Sequence, residues 1–464
     1  MKMWSGGGIN PEFERWQRSF PFDRRLLPHE LAASLAHARG LQRIGVLTAA
    51  EFEKIQQGLE TIGRHASADP AFLDDPDAED VHHFVEKQLV SLVGELGYKL
   101  HAGRSRNEQI ATDLRLFVRS SIDEIRRELT RLLTAFLTRA EQTGDAAMPA
   151  YTHLQRAEPV LVAHWLLAYF EMFYRDWSRL AECRARLNFC PLGSGAIAGA
   201  TLPLDRDAIA AELGFDSPAP NSLDATSDRD FTIEFTQALS VVAVHLSRWA
   251  EELILFSTKE FGFVIQPEAY STGSSALPQK RNPDALELIR GKAGAVIGNT
   301  TALMVALKGL PLAYNKDLQE TQQPVFAAAD TTLESVRIAA GFMEQVSFDF
   351  ARMNAAAQTG YLNAMAAATY LAKKGVPFRR AHHIVGDAIR LCMKRSIELE
   401  ALTLEEFRQF SPEFGGDIYD HLKLNAVLDC HDVPGGTARA WVKQALADAA
   451  QRLNSIRGEV HAHA

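Results

Sequence analysis

The chain has 464 residues, room for about two to four domains, and its 47% hydrophobic and 23% charged residues are typical of a globular protein. A net charge of −9 argues against a nucleic-acid binder or an anionic-membrane binder, because either needs a basic surface. The four cysteines form no C-x-x-C pair and no zinc pattern, so neither a disulfide framework nor a structural metal is indicated. With no long apolar run and no signal-peptide pattern at MKMWSGGGIN, we expect a cytoplasmic protein without membrane contact.

Residues 1–105 mix short helical patterns with proline-containing turns, which predicts a mostly helical N-terminal domain. Within this domain, HELAASLAHARGL (29–41) predicts a helix that carries Ser34 and His37 one turn apart. The segment 74–96 begins acidic and becomes amphipathic, as the start of a helix should.

Long helical patterns dominate the middle of the chain. GRSRNEQ (103–109) opens a helix of about 37 residues, and similar patterns follow in 157–188, 224–258 and 283–310. A fifth pattern is interrupted by Pro311 and Pro324, and no segment alternates as a strand does. We therefore predict an all-α protein with a long-helix bundle over 106–358 and a small C-terminal helical domain over 359–464.

The loop STGSSALPQKRNP (271–283) precedes one of these helices. Its small, turn-forming residues predict a mobile loop, and Asn282 and Pro283 are good starting residues for the helix. Hydroxyls, Lys280 and Arg281 therefore lie at the positive end of a helix, where an anion is stabilised. This pattern suits carboxylate binding with a base beside it; the alternative is an exposed loop that only caps a helix.

Four more polar segments interrupt the helices: GRSRNEQ (103–109), YTHLQRAEP (151–159), PLGSGAIAG (191–199) and NSLDATSDRDF (221–231). Each lies at or near the end of a long helix, and antiparallel packing can bring such ends together within one chain or between chains. Singly they are weak signals. Together they supply the hydroxyls, amides and guanidinium groups that bind carboxylates.

These strings, in this order, resemble the argininosuccinate lyase family of the fumarase/aspartase superfamily. AGRSRN and YTHLQRA discriminate this family, because fumarases, aspartases and adenylosuccinate lyases share the 271–283 loop. The resemblance implies a three-domain all-α lyase whose central bundle assembles into a tetrameric helical core, with each site shared between three subunits. It implies reversible elimination of 2-(N-arginino)succinate to L-arginine and fumarate in arginine biosynthesis, with no cofactor and no metal.

The resemblance also implies roles for particular residues. Ser274 would be the base, His153 the acid and Glu287 the carboxylate that orients His153, while Lys280 and the helix N-terminus favour ionisation of the serine. The implied substrate contacts are Ser34, Ser105, Asn107, Thr152, Arg229, Asn282, Tyr314, Gln319 and Gln322.

Two strings depart from the family pattern. The start reads WSGGGI in place of a WGGRF-like start, and QETQQP replaces QEDKEP, so Gln322 stands where a substrate-contacting lysine is expected. Losing one charge-assisted hydrogen bond costs ~1.5 to 3 kcal/mol, or about tenfold to a hundredfold in affinity. The alternative reading is therefore a related lyase that releases fumarate from another N-succinyl compound.

A non-catalytic structural relative, like the lens crystallins descended from this family, is a different class of protein. The presence of Ser274, His153, Lys280 and Glu287 together argues against it.

Overall fold

The structure, a computed structural model, describes residues 10–462, so the WSGGGI departure lies outside the described residues. The described residues are 70% helical, which confirms the all-α prediction. Among the described residues, no helix is long and apolar enough to cross a membrane.

The N-terminal helices begin where capping residues predict. Thr48 and Glu51 form a reciprocal capping box at the start of α4, and Asp80 accepts from the His83 N–H at 2.7 Å to start α5. The helices are α1 (Pro11–Trp16), α2 (Phe20–Asp23), α3 (Leu27–Arg43), α4 (Ala49–Ala68) and α5 (Val81–Val93), with 3₁₀ segments at Arg24–Leu26, Pro70–Leu73 and Gly94–His101.

Long helices form the middle of the chain, as predicted. They are α6 (Arg106–Glu141), α7 (Val162–Leu187), α10 (Asp230–Ser257), α11 (Asp284–Leu307) and α12 (Gln322–Gln345), with α8 (Arg206–Glu212) and α9 (Ser222–Ser227) between α7 and α10. Pro324 does not interrupt α12, because it occupies the third helical position, where an N–H has no intrahelical partner. Two further 3₁₀ segments, Glu268–Tyr270 and Lys316–Thr321, lie before and after α11.

Short strands, which the sequence did not predict, connect the helices. They pair as β1 (Ala147–Thr152) with β2 (Gln155–Leu161), β3 (Phe189–Cys190) with β4 (Ser217–Pro218), β5 (Val264–Ile265) with β8 (Ser347–Phe348), and β6 (Thr272–Gly273) with β7 (Arg281–Asn282). In the β1–β2 hairpin Pro149 lies opposite Pro159, and neither proline could enter a helix interior. The helix expected from residue 157 therefore begins at Val162.

The C-terminal region consists of shorter helices, as predicted. They are α13 (Phe350–Ala357), α14 (Ala364–Lys373), α15 (Phe378–Arg395), α16 (Leu404–Phe410), α17 (Ile418–Leu422), α18 (Leu424–Asp429) and α19 (Arg439–Ala462), with a 3₁₀ segment at Leu399–Ala401. Leu371, Cys392, Phe407 and Phe414 are buried in one cluster that joins these helices.

The chain divides into two compact units. The first comprises Met1–Arg126, Ser178–Ala243 and Ala293–Leu333, and the second comprises Arg127–Trp177, Val244–Lys292 and Glu334–Ala464. The boundaries between units cut across long helices, so the division into domains 1–105, 106–358 and 359–464 stays a prediction. Each unit has its own core: Ala33, Leu116 and Ile209 are buried in the first, and Phe136 and Trp249 pack edge to face in the second.

Candidate active site

One face of α3 holds the segment that precedes α6. Glu30, Ser34 and His37 are each at most 1% exposed on this face. The Ser34 hydroxyl donates to Glu30 Oε1 at 2.6 Å and accepts from Arg104 Nη1 at 2.9 Å, while His37 Nε2 lies 3.0 Å from the Ala102 carbonyl oxygen. The hydroxyl of Ser34, a predicted substrate contact, is thus engaged inside the first unit, where it fixes Arg104.

Glu30 is also the centre of a buried group of charges. Its Oε2 lies 3.0 Å from His82 Nδ1, and Asp113 Oδ2 lies 3.6 Å from the same nitrogen. Burial would raise the pKa of Glu30, but His82 and Arg104 outweigh it and lower that pKa, whereas burial and the charge of Glu30 raise the pKa of Asp113. These opposite shifts favour the ionised form of Glu30 and the protonated form of Asp113.

The same three side chains are close enough to share a metal ion, since their ligand atoms lie within 4.8 Å of one another. The Arg104 guanidinium, 4.0 Å from Glu30, already supplies a cation at this position.

Helix α6 begins with a cap that places two predicted substrate contacts, Ser105 and Asn107. Glu108 Oε1 accepts from the Ser105 N–H at 2.8 Å, and Ser105 Oγ accepts from the Asn107 N–H at 3.3 Å. Glu108 Oε2 accepts from the Gly195 N–H at 3.1 Å, which ties the 191–199 loop to the helix start. Two of the polar segments predicted to meet, 103–109 and 191–199, are thus joined within the first unit.

Arg229, another predicted substrate contact, is 1% exposed. Its Nη1 donates to the Asp228 carbonyl oxygen at 2.8 Å, whereas Nε and Nη2 have no partner among the described residues. Burial lowers the pKa of Arg229 to about 10, and Tyr314 and Asp228 oppose this shift. A buried guanidinium with two unused donors is suited to bind a carboxylate.

Acidic groups lie near Tyr314 in the first unit. Burial raises the pKa of Tyr314, and Asp80 and Asp23 contribute to the same shift. Asp23 is 1% exposed, accepts from the Val81 N–H at 3.0 Å, and burial raises its pKa to about 7. Sequence reasoning did not single out Asp23. The signal that could have indicated its burial was an acidic residue directly after the apolar residues of FPFD (20–23).

The two predicted glutamine contacts are buried. Gln319 is 8% exposed and its Nε2 donates to the Gln17 carbonyl oxygen at 3.0 Å. Gln322 is 3% exposed, and its Oε1 has no hydrogen-bond partner among residues 10–462. The residue in the position of the expected lysine therefore retains an unused acceptor.

In the second unit, Thr152 and His153 form the tip of the β1–β2 hairpin. His153 and Leu154 have φ values of 56° and 57°, as the two central residues of a tight hairpin turn require. Thr152 pairs with Gln155, and the tip is exposed. The two paired strands thus place His153 in an exposed turn.

The 271–283 loop is closed by the β6–β7 pairing, which brings Thr272 opposite Asn282. The Ser274 hydroxyl oxygen accepts from the Ala276 and Leu277 N–H groups, each at 3.2 Å. Lys280 is exposed in the same loop, and its carbonyl oxygen accepts from the Ser274 N–H at 3.3 Å. The predicted base is therefore held as an acceptor by its own loop.

His153 and Glu287 do not pair within one chain. In the part of the chain that the structure describes, neither side chain makes a hydrogen bond or an ion pair, and both are exposed. The orienting contact expected between them stays a prediction, as do the roles of the other site residues.

Known proteins resemble this chain over nearly its whole length. Residues 8–298 match the family described as Lyase, and residues 361–429 match the family described as Argininosuccinate lyase C-terminal. An argininosuccinate lyase of Koribacter versatilis is 57% identical over 99% of both chains, and one of Acidobacterium capsulatum is 57% identical over 99% of this chain and 97% of its own.

Among solved structures, an EDDS lyase variant with bound fumarate superposes with a TM-score of 0.84 at 25% identity, covering 98% of this chain and 92% of that one. The helical fold and the first family match define a carbon–nitrogen lyase. The chain belongs to the argininosuccinate lyase family.

Proposed function

We propose that the chain catalyses the reversible elimination of argininosuccinate to L-arginine and fumarate, a step of arginine biosynthesis. The name shared by relatives 57% identical over 99% of the chain supports this reaction. The structural observation that carries it is the Ser274 hydroxyl, which two backbone N–H groups hold within the loop before α11.

Ser274 removes the proton from the carbon next to a substrate carboxylate. That C–H is weakly acidic, and a serine hydroxyl ionises far above neutral pH, so the alkoxide needs stabilisation. Hydrogen bonds from the Ala276 and Leu277 N–H groups are stronger to an alkoxide than to a neutral hydroxyl. The ammonium group of Lys280, in the same loop, adds positive charge.

His153 protonates the departing guanidinium nitrogen. Its position at the tip of a two-stranded hairpin limits its movement, and its exposure leaves it free to meet another copy of the chain. Glu287 is exposed in the first turn of α11 and lacks a partner in its own chain. We place the His153–Glu287 pair between subunits for this reason.

The remaining site residues divide by the chemistry of the substrate. The carboxylates of the succinyl group can bind the unused donors of Arg229, together with hydroxyl and amide donors. The arginine portion of the substrate is cationic and can bind hydrogen-bond acceptors and acidic groups. The carboxylate set is Arg229, Ser105, Asn107, Thr152 and Asn282, and the arginine set is Tyr314, Gln319, Gln322 and Asp23. Ser34 supports Arg104 in place of touching the substrate.

The active form is a homotetramer whose sites each take residues from three subunits. Helix α11 supports this assembly, because Leu288, Ile297 and Val305 are 61%, 42% and 56% exposed in the single chain. Added Cβ atoms at Gly291 and Gly298 would contact nothing within 4 Å, so another helix can approach closely. These exposed apolar side chains, spread around α11, suit burial against neighbouring chains.

A direct assay tests the function. Purified protein is mixed with argininosuccinate and, separately, with adenylosuccinate, and fumarate is followed by its ultraviolet absorbance. We expect release from argininosuccinate alone. Release from adenylosuccinate but not from argininosuccinate would contradict the proposal.

A second candidate is a fumarate-releasing lyase for another N-succinyl compound. Two observations favour it: Gln322 replaces the expected lysine, and an EDDS lyase variant with bound fumarate is 25% identical. Adding other N-succinyl amino compounds to the same assay separates the two candidates.

A further inference from the structure

The start of the 271–283 loop, which carries Ser274, is held by a contact that the catalytic proposal does not use. Two polar contacts also tie the loop: Arg281 Nη2 to Glu268 Oε1 at 2.6 Å, and Asp284 to the Thr272 N–H at 3.2 Å. The Arg281 and Glu268 side chains are 56% and 80% exposed, so their ion pair contributes little. Both of these contacts are exposed, so a half-buried contact at the start of the loop can add to its anchoring.

Tyr270, directly before the loop, provides that anchor. Its half-buried ring packs edge to face against Phe342 of α12, with ring centres 6.0 Å apart and an angle of 62°. The end of the ring lies over Gly341. A Cβ on Gly341 would overlap the Tyr270 hydroxyl oxygen and lie 3.0 Å from Cζ.

Gly341 is a costly residue at its position. It lies inside α12, directly after Ala339 and Ala340, where glycine is about 1 kcal/mol less favourable than alanine. The space occupied by Tyr270 gives this glycine a packing reason, because any larger residue would displace the ring.

We propose that Gly341 and Tyr270 are positioning residues for the lyase reaction. The gap over Gly341 receives the Tyr270 ring, which sets where the loop leaves the protein and so where Ser274 lies. The proposal rests on the assignment of Ser274 as the base. Because reacting groups must meet closely, displacing the hydroxyl by about 1 Å is expected to slow turnover by about a hundredfold.

Four proteins test the contact: wild type, Gly341→Ala, Tyr270→Phe and the double variant. Gly341→Ala should lower kcat about 10- to 100-fold with a much smaller change in KM. Tyr270→Phe should be close to wild type, since no hydrogen bond of its hydroxyl is found among the described residues, and the double variant should regain much of the lost rate. Gly386→Ala is the matched control, because its Cβ would meet only Arg390 Nη1 at 4.0 Å.

Limited trypsin digestion reports on the loop without an activity assay. Lys280 and Arg281 are exposed there, and cleavage after either should be faster in Gly341→Ala and return towards the wild-type rate in the double variant. If Gly341→Ala does not fold, Tyr270→Ala removes the anchor without a clash and should show the same loss of kcat and faster cleavage.

The outcomes separate this inference from the proposed function. A wild type that releases no fumarate refutes the function, while the digestion still tests the anchor. Equal kcat values and equal rates of trypsin cleavage for Gly341→Ala and wild type would overturn the proposal that Tyr270 anchors the loop. A double variant with no higher kcat than Gly341→Ala also overturns the proposal. So does a kcat that falls in each variant in proportion to its loss of thermal stability, because the contact would then be purely structural.

Discussion

At the scale of single residues, the site depends on polar groups whose surroundings change their chemistry. Ser274 is an ordinary hydroxyl in sequence, but two N–H donors at 3.2 Å make it an acceptor in the fold. Asp23 is an ordinary carboxylate in sequence, but its burial favours the protonated form.

Ser274→Ala should reduce turnover by at least about a hundredfold, since a positioned base contributes about 10²- to 10⁴-fold. Binding of argininosuccinate should change little, because the hydroxyl acts on the C–H bond and the carboxylates bind elsewhere. Fumarate release and calorimetric titration measure the two effects. The neighbouring Ser275→Ala is the control, and near-normal turnover by Ser274→Ala would refute the assignment.

Asp23 should make stability depend on pH. Burial raises its pKa from 3.8 to about 7, so between those values the folded chain holds a proton that the unfolded chain has lost. Its contribution to stability is therefore fully present below pH 3.8 and is lost as pH rises through about 7.

Asp23→Asn should flatten this dependence, which is at most about 1.4 kcal/mol per pH unit. Thermal unfolding midpoints at several pH values from 4 to 8 measure it, with the surface variant Asp77→Asn as control. Parallel curves for wild type and Asp23→Asn would contradict the prediction.

At the scale of elements, the ends of helices determine where the site residues point. The Glu108 carboxylate accepts from the Ser105 N–H at the start of α6 and also holds the 191–199 loop through the Gly195 N–H. The paired prolines of the β1–β2 hairpin keep residues 147–161 extended, so that His153 lies at a turn and not on a helix.

Glu108→Gln should destabilise the protein by about 1 to 3 kcal/mol, because a carboxylate accepts from both the Ser105 and Gly195 N–H groups and an amide offers only one acceptor oxygen. The displaced Ser105 and Asn107 should raise KM more than they lower kcat. Denaturant unfolding and fumarate kinetics measure these effects. Glu141→Gln, exposed at the other end of α6, is the control; equal KM in both variants would contradict the prediction.

At the scale of the whole molecule, the proposed assembly depends on the exposed apolar side chains of α11. Val305→Glu places a charge on this surface, far along the helix from Glu287. We expect smaller assemblies by light scattering and a loss of activity of at least about tenfold, since a charge buried at an interface is strongly unfavourable. Met393→Glu, at a 62% exposed position on α15, should change neither; an active Val305→Glu monomer would refute the shared site.

The sequence alone determined the helical architecture, because long stretches with helical periodicity leave no other way to bury their apolar faces. It also determined the family, since the polar strings between the helices stand in a recognisable order. The β1–β2 hairpin escaped prediction because prolines and a two-residue turn, not alternation, create it. The other strands are only two residues long, too short for alternation to show.

Only the tertiary structure decided how the polar groups are used. Ser34 was a plausible substrate contact in sequence, yet its hydroxyl is engaged by Glu30 and Arg104. Asp23 was unremarked in sequence, yet its burial gives it a raised pKa. Burial and hydrogen-bond partners come from residues far apart in the chain, so local sequence determines helices and turns while the fold determines the chemistry of each polar side chain.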